Sequence, residues 1–316
     1  MAQPVAGPRA TFDCLWCGTA WSTRSPDDLE GWAQLCPDCL SRAGENAFLR
    51  FRLRDAIVAR GAAGGVAGGA AAGASPEAAP AAPAAAAAEP DDDLAADMLA
   101  YYEARAGEYD DWYLRRGRYS RGPIHDAAWN AELDGTGTWL DGLPISGEIV
   151  ELAAGTGWWS PLLASKGELS IYDAADAPLE LARERLVAHR LRAHIHVRDA
   201  WAEPDRQVDA IVCGFWLSHV PRARTGEFLA LARRWLKPGG IFAFIDSLPD
   251  PQSGAADNPA PAADLAVRRL DDGREFTIVK VYREPAELED ALRDAGFQDP
   301  RVTTTGRFFL LGEARA

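Results

Sequence analysis

From Asp91 to the C-terminus, short β-like runs alternate with helical stretches, and this alternation constrains the fold more than any other feature of the chain. The runs are GEIVELA, LSIYD, HIHVRD, VDAIVCGF, GIFAFID, FTIVKVY and RFFLLGEA. Helical segments at Ala177 to His189, Arg222 to Leu236 and Pro285 to Ala295 separate most of them. Strands joined in this way run parallel, because a strand returning in the same direction needs a crossover as long as a helix. The expectation is an α/β domain with a mostly parallel seven-stranded sheet, preceded by helices over Leu94 to Arg116 and Ile124 to Leu140.

Upstream, the composition changes abruptly. Between Gly61 and Pro90, 26 of 30 residues are Ala, Gly or Pro, with almost nothing large enough to build a core, which predicts a flexible linker. Residues 1 to 60 hold four of the five cysteines in two tight pairs, Cys14 with Cys17 and Cys36 with Cys39, separated by 18 intervening residues. That spacing predicts a four-cysteine zinc ribbon rather than disulfides. Iron tolerates such pairs too, but zinc is favoured. With four thiolates no ligand position is left open, so the metal would be structural. The expected domains are a zinc ribbon at 1–60, a linker at 61–93 and the α/β domain at 94–316. Cys213, inside VDAIVCGF, reads as a buried apolar filler.

Lys and Arg number 33 against 47 Asp and Glu, a formal charge of -14. Such a surface repels phosphate backbones, which argues against a nucleic-acid partner. Residues 1 to 60 hold seven Arg and seven acids, so the cysteine module is not basic either. The first ten residues lack a basic start followed by an apolar stretch, and no apolar run approaches a bilayer span, so a cytoplasmic chain without membrane contact is expected. Oligomeric state is not written in the sequence.

Chemistry concentrates where strands end. The first strand closes on Glu151 and runs into a turn containing Gly155 and Gly157, where glycines permit dihedrals closed to other residues and close approach of a ligand. The second strand ends in Asp173, 16 residues past Gly157, placed to accept hydrogen bonds from ribose hydroxyls. The third ends in Asp199, followed by Ala200 and Trp201. A nicotinamide dehydrogenase shares the first two features. However, the third glycine of that pattern falls at Ser160, and Trp158 and Trp159 crowd the turn where a pyrophosphate would sit. A nucleoside ligand without phosphates fits better.

The blocks ELAAGTG, IYDAADAPLELAR, VRDAW, CGFWLSHV and LKPGGIFAFID, in this order, resemble those of class I S-adenosylmethionine-dependent methyltransferases over about residues 94 to 316. The resemblance implies a Rossmann-like fold and S-adenosylmethionine as the bound nucleoside. Glu151, Gly155 and Gly157 would surround its aminocarboxypropyl part, Asp173 its ribose, and Asp199, Ala200 and Trp201 its adenine. Ala153 stands where the family often has its first glycine. In similar enzymes a helix before the first strand folds over the donor, which points to Tyr109. His219, after the fourth strand, is the candidate base or acceptor-binding group, with His125 a weaker one. Phe215, Trp216 and Trp201 form an aromatic rim, which suggests a small, apolar or aromatic acceptor. The insertion from Ser247 to Glu275 would shape the acceptor pocket and brings Asp246, Arg268, Arg269 and Lys280 into consideration. Methyl transfer from a sulfonium is an in-line displacement of an activated group, so alignment can supply about 7 to 11 kcal/mol and a base is optional. Two other functions compete. A zinc module before a methyltransferase also resembles one family of ribosomal RNA guanine methyltransferases, although the NPPY-type loop of base-modifying enzymes is replaced by GFWLSHV. The other is a regulatory protein that senses the donor without transferring methyl.

Overall fold

The computed structural model describes residues 11–13, 20–22, 90–259 and 263–316. Contacts divide the chain into two units, Met1–Pro83 and Ala84–Ala316. In the first, β1 (Thr11–Asp13) pairs antiparallel with β2 (Ala20–Ser22), Asp13 opposite Ala20. The four paired cysteines, and with them the zinc expectation, lie outside the described residues. Among the described residues no group of His, Cys, Asp and Glu is arranged to hold a metal.

The second unit opens with α1 (Pro90–Arg105), α2 (Tyr109–Leu114) and α3 (Pro123–Gly142). Between the first two, Ala106–Glu108 tightens into a single 3-10 turn, so the continuous helix expected over Leu94 to Arg116 is broken. Then follow β3 (Gly147–Leu152), α4 (Ser160–Ala164), β4 (Gly167–Asp173), α5 (Asp176–Ala188), β5 (His194–Val197), β6 (Val208–Gly214), α6 (Thr225–Trp235) and β7 (Leu236–Ser247). The chain ends with β8 (Leu265–Arg269), β9 (Glu275–Val279), α7 (Pro285–Asp294), β10 (Gln298–Thr304) and β11 (Phe309–Arg315).

One seven-stranded sheet has the order β10-β11-β7-β6-β3-β4-β5. The pairs from β7 to β5 are parallel, and β11 runs antiparallel to both neighbours. The count expected from sequence is right, but one member differs. FTIVKVY is not in this sheet: β9 pairs antiparallel with β8, because Asp271, Asp272 and Gly273 (φ +87°) close a tight turn that makes a local hairpin. Its place is taken by β10, an edge strand with a largely exposed face and Pro300 within it, which hides the apolar alternation that would reveal it.

Strand β3 sits centrally, packed with β6 through Ile149 opposite Ala210 and Leu152 opposite Cys213. Val150, Ile211, Phe242 and Phe244 meet Phe228, Leu229 and Trp235 of α6 in one core. Cys213 is fully buried there, as an apolar filler should be. A smaller core joins Tyr101 of α1 to Ala266, Leu270 and Ile278, so α1 and the β8–β9 hairpin form a cap. No helix among the described residues is long and apolar enough to cross a membrane.

Candidate active site

The chain leaves β3 for β4 on one side and returns through β6 to the other, so a crevice opens at the C-terminal ends of β3 and β6. The turn after β3 lines it. Ala153, Gly155 and Gly157 have φ of +51°, +54° and +69°, the left-handed region that favours glycine. Ala153 therefore bears a strain of about 1–2 kcal/mol that a glycine would escape. A Cβ on Gly157 would stand 2.7 Å from Ala182 Cβ and 3.0 Å from Ser160 Oγ, so this glycine lets the turn press against α5. Phe215, just past β6, has φ +61°, an outlier for a bulky residue, while its ring is held at 4.8 Å from Trp112 and 5.9 Å from Phe309.

A pocket of about 320 Å³ occupies the crevice. Its wall includes Tyr109, Ala153, Gly155, Asp173, Asp199, Ala200, Trp201, Phe215 and His219, which brings together nine of the residues singled out in the sequence. Helix α1 covers it with Leu94, Met98, Leu99 and Tyr102. Asp173 Oδ2 accepts from Gly155 N at 2.8 Å and Oδ1 from Ala175 N at 2.9 Å, joining the two strand ends. Burial outweighs these bonds and raises Asp173 to about 6. Asp199 Oδ1 accepts from Trp201 N at 2.7 Å and so sets the start of the aromatic segment. Burial raises the Tyr109 hydroxyl, against the pull of Arg105.

Glu151 and Gly157 do not line the pocket. Glu151 is 1% exposed beneath the turn, and its Oε2 accepts from Ser160 Oγ at 2.5 Å. Its burial pushes it up to about 8, against the opposing effects of Ser160 and Arg185. Two polar ties that the sequence did not reveal fasten α1 and α2 to the turn after β3 and to α5. Asp110 accepts from Thr156 Oγ1 at 2.6 Å and pairs with Arg185, and Glu103 accepts from the N–H groups of Asp176 and Ala177 that open α5. Only the fold brings these positions together, so no local signal marks them.

His219 stands at a junction. Nδ1 lies 2.7 Å from the Val279 carbonyl, which can only accept, so Nδ1 carries the hydrogen and Nε2 accepts from Tyr102 OH at 2.8 Å. Burial, reinforced by Lys280, holds the ring far below the usual histidine range and therefore neutral. His125 lies away from this pocket, against Asp126 and Phe308.

A second cavity of about 70 Å³ adjoins the first and shares Tyr102, Tyr109, Phe215 and His219 with it. The two cavities differ in lining. The aromatic rim of Trp201, Phe215 and Trp216 belongs to the larger pocket, whereas the smaller cavity is lined by Arg105, Arg268 and Lys280 among tyrosines and serines. Of the basic residues considered from sequence, Arg268 and Lys280 arrive and Arg269 does not: it pairs with Glu275 outside. Arg105 was missed, since nothing distinguishes it on a helix whose tyrosines carried the signal. Lys280 Nζ donates to Ser218 Oγ at 2.8 Å and lies 3.8 Å from Asp246. Burial, with Arg268, Arg105 and Arg283 working against Asp246, lowers it to about 8.

A parallel sheet with one reversed strand, a glycine turn at its switch point and acids on the next two strand tips define a Rossmann-like methyltransferase fold. Residues 149–240 match the family described as a methyltransferase domain. Over 170 residues the chain is 30% identical to the ubiquinone/menaquinone biosynthesis C-methyltransferase UbiE of Coxiella burnetii, an alignment covering 48% of this chain and 66% of that protein. It is also similar to two solved structures of DhpI. The complex with S-adenosylhomocysteine is 32% identical, with 70% of this chain and 96% of that one covered and a TM-score of 0.55. The complex with S-adenosylmethionine and HEP is 31% identical, with 71% and 98% covered and a TM-score of 0.56. The chain belongs to the S-adenosylmethionine-dependent methyltransferases.

Proposed function

We propose that the chain transfers the sulfonium methyl group of S-adenosylmethionine to a small-molecule acceptor. The observation that supports this reading is the pair of adjoining cavities at the switch point, with Tyr102, Tyr109, Phe215 and His219 as their common wall. Asp173 would hold the ribose. Two backbone N–H donors do not offset the burial that raises this carboxylate to about 6, and two ribose hydroxyls would add the further donors its charged form requires. Asp199, Ala200, Trp201 and Phe215 would flank the adenine, and Tyr109, Ala153 and Gly155 the amino-acid end. Glu151 would act from behind, bracing the turn through Ser160. S-Adenosylmethionine supplies an activated methyl group with a neutral thioether as leaving group. The protein's task is then alignment and exclusion of water, worth about 7 to 11 kcal/mol. His219, with both nitrogens engaged, is assigned the positioning of Tyr102 at the shared wall rather than proton removal.

A cavity of about 70 Å³ beside the donor pocket is too small for a polynucleotide, which argues against the ribosomal RNA reading, as does the charge of -14. For the first unit we propose a structural zinc ion on Cys14, Cys17, Cys36 and Cys39. The spacing of the two cysteine pairs, with 18 residues between them, supports this reading. Metal analysis of the full chain tests this, with one zinc per chain expected.

The function is tested by incubating the full chain with methyl-labelled S-adenosylmethionine and, separately, a small-molecule extract, total RNA, or no acceptor. Label in a small organic product supports the proposal. Label in RNA supports the ribosomal reading, and donor binding without transfer to either supports a sensor.

A further inference from the structure

Three cations from distant parts of the chain converge on the smaller cavity: Arg105 at the end of α1, Arg268 in β8 and Lys280 just past β9. Other buried arginines leave Nε without a hydrogen-bond partner but donate through their terminal nitrogens. Arg115 donates to the carbonyls of Ser253 and Gln252, and Arg283 to those of Leu217 and Val220. Arg105 is 9% exposed, yet among the described residues it makes no hydrogen bond and no ion pair, and its Nε is buried without a partner. It is held by rings alone, its guanidinium carbon 4.4 Å from the centre of Tyr109 and 5.5 Å from that of Tyr101. Arg268 likewise has no carboxylate partner among the described residues, its one hydrogen bond being to the Val267 carbonyl. No Asp or Glu lines the cavity. Two carboxylates stand nearby: Asp246 lies 3.8 Å from Lys280 and is bound to the N–H groups of Ser218 and Ser247, and Glu108, within the field of Arg105, is engaged by Arg118 and the N–H of Asp271. Three cations therefore line a cavity that no carboxylate lines, in a chain whose formal charge is -14. Buried cations without counter-charge are costly, so a site of this kind is built for a charge it receives.

We propose that the acceptor presents a small oxyanion, that Arg105, Arg268 and Lys280 hold it in this cavity, and that one of its oxygens takes the methyl group. This rests on the methyl-transfer reading above and names its substrate class. The volume of about 70 Å³ leaves room for little beyond the anion itself, so the oxygen facing the shared wall of Tyr102, Tyr109, Phe215 and His219 is one of the anion's own. An ionised oxygen has no proton to lose, which agrees with a neutral His219 whose nitrogens are both occupied. The oxygen lone pair forms the O–C bond as the C–S bond breaks, and the C–S electron pair stays on sulfur. A dianion and a sulfonium cation thereby give a methyl ester monoanion and neutral S-adenosylhomocysteine, with no proton, oxidant or further reactant required.

The test uses the full chain. S-Adenosylhomocysteine affinity is measured first by calorimetry, then label transfer from S-adenosylmethionine to methylphosphonate, acetate, phenol and ethanol, with inorganic phosphate as inhibitor. Transfer to the anions and inhibition by phosphate are expected. The two sources of an oxyanion are separated by rate, methylphosphonate ahead of acetate because three cations and no carboxylate line the cavity. Arg268→Gln, a half-buried residue without an ion pair, should weaken phosphate inhibition about 10- to 100-fold with S-adenosylhomocysteine affinity retained. Lys280→Met should do the same. Transfer to phenol or ethanol but not to either anion, or unchanged phosphate inhibition in both variants, would overturn the oxyanion and leave the methyltransferase standing. Absence of S-adenosylhomocysteine binding by the wild-type chain would overturn the parent reading instead.

Discussion

Replacing Glu151 by Gln tests the electrostatics of the turn. Glu151 is 1% exposed and burial raises it from the ordinary 4.5 to about 8. Below pH 4.5 the residue is protonated in both folded and unfolded chains and costs nothing. Between 4.5 and 8 the unfolded chain ionises it while the folded chain retains its proton, so stability falls by about 1.4 kcal/mol per pH unit from this group. Above 8 both states are ionised and the whole loss is present, on the order of 3–5 kcal/mol. Gln is neutral throughout, and its carbonyl can still accept from Ser160 Oγ. For a domain of this size 1 kcal/mol moves Tm by about 2–4 °C. Glu151→Gln should therefore match the wild type near pH 4.5 and exceed it by roughly 6 to 20 °C near pH 8.5. Differential scanning calorimetry of both proteins across that range reads the difference directly, since other groups titrate alike in each. Parallel Tm curves from pH 4.5 to 9 would refute the argument.

Other substitutions probe the remaining parts. Gly157→Ala forces a side chain into left-handed backbone and into Ala182, so a loss of about 2–5 kcal/mol is expected in chemical denaturation; a change under about 0.5 kcal/mol would mean the turn shifts freely. Tyr102→Phe removes the hydroxyl that His219 accepts and should lower kcat about tenfold at unchanged donor affinity, whereas a change confined to donor affinity would place Tyr102 in the donor site alone. Removal of residues 1–83 should leave donor binding in the second unit intact, and a chelator should leave that unit's thermal transition in place; loss of donor binding in the shortened chain would contradict the division at Pro83.

The parts of the fold that were legible share a physical reason: their signals are local. The turn after β3 needs glycines within five residues, and Asp173 and Asp199 announce themselves by standing at strand ends. The strand at Gln298–Thr304 lies on a solvated edge and carries Pro300, so no alternation marks it. FTIV has a strand's composition, but composition does not name a partner, and the turn at Asp271 to Gly273 chose β8. The site divided in the same way. Asp173, Asp199, Trp201 and Phe215 were readable and line one pocket. Glu151 and Gly157 were readable as part of the turn, yet they support it from behind. The cation cluster joins positions more than 160 residues apart, and an arginine that will be buried without a counter-ion looks in sequence like any other.

The central claim is a donor site whose ribose acceptor is Asp173, and the most direct measurement is a calorimetric titration of S-adenosylhomocysteine into the full chain and into its Asp173→Ala variant. The wild type is expected to bind one equivalent in the micromolar range, and the variant to lose at least about 100-fold, the loss expected when two hydrogen bonds to a buried carboxylate disappear. Equal affinity in the two proteins, or no binding by the wild type, would contradict it.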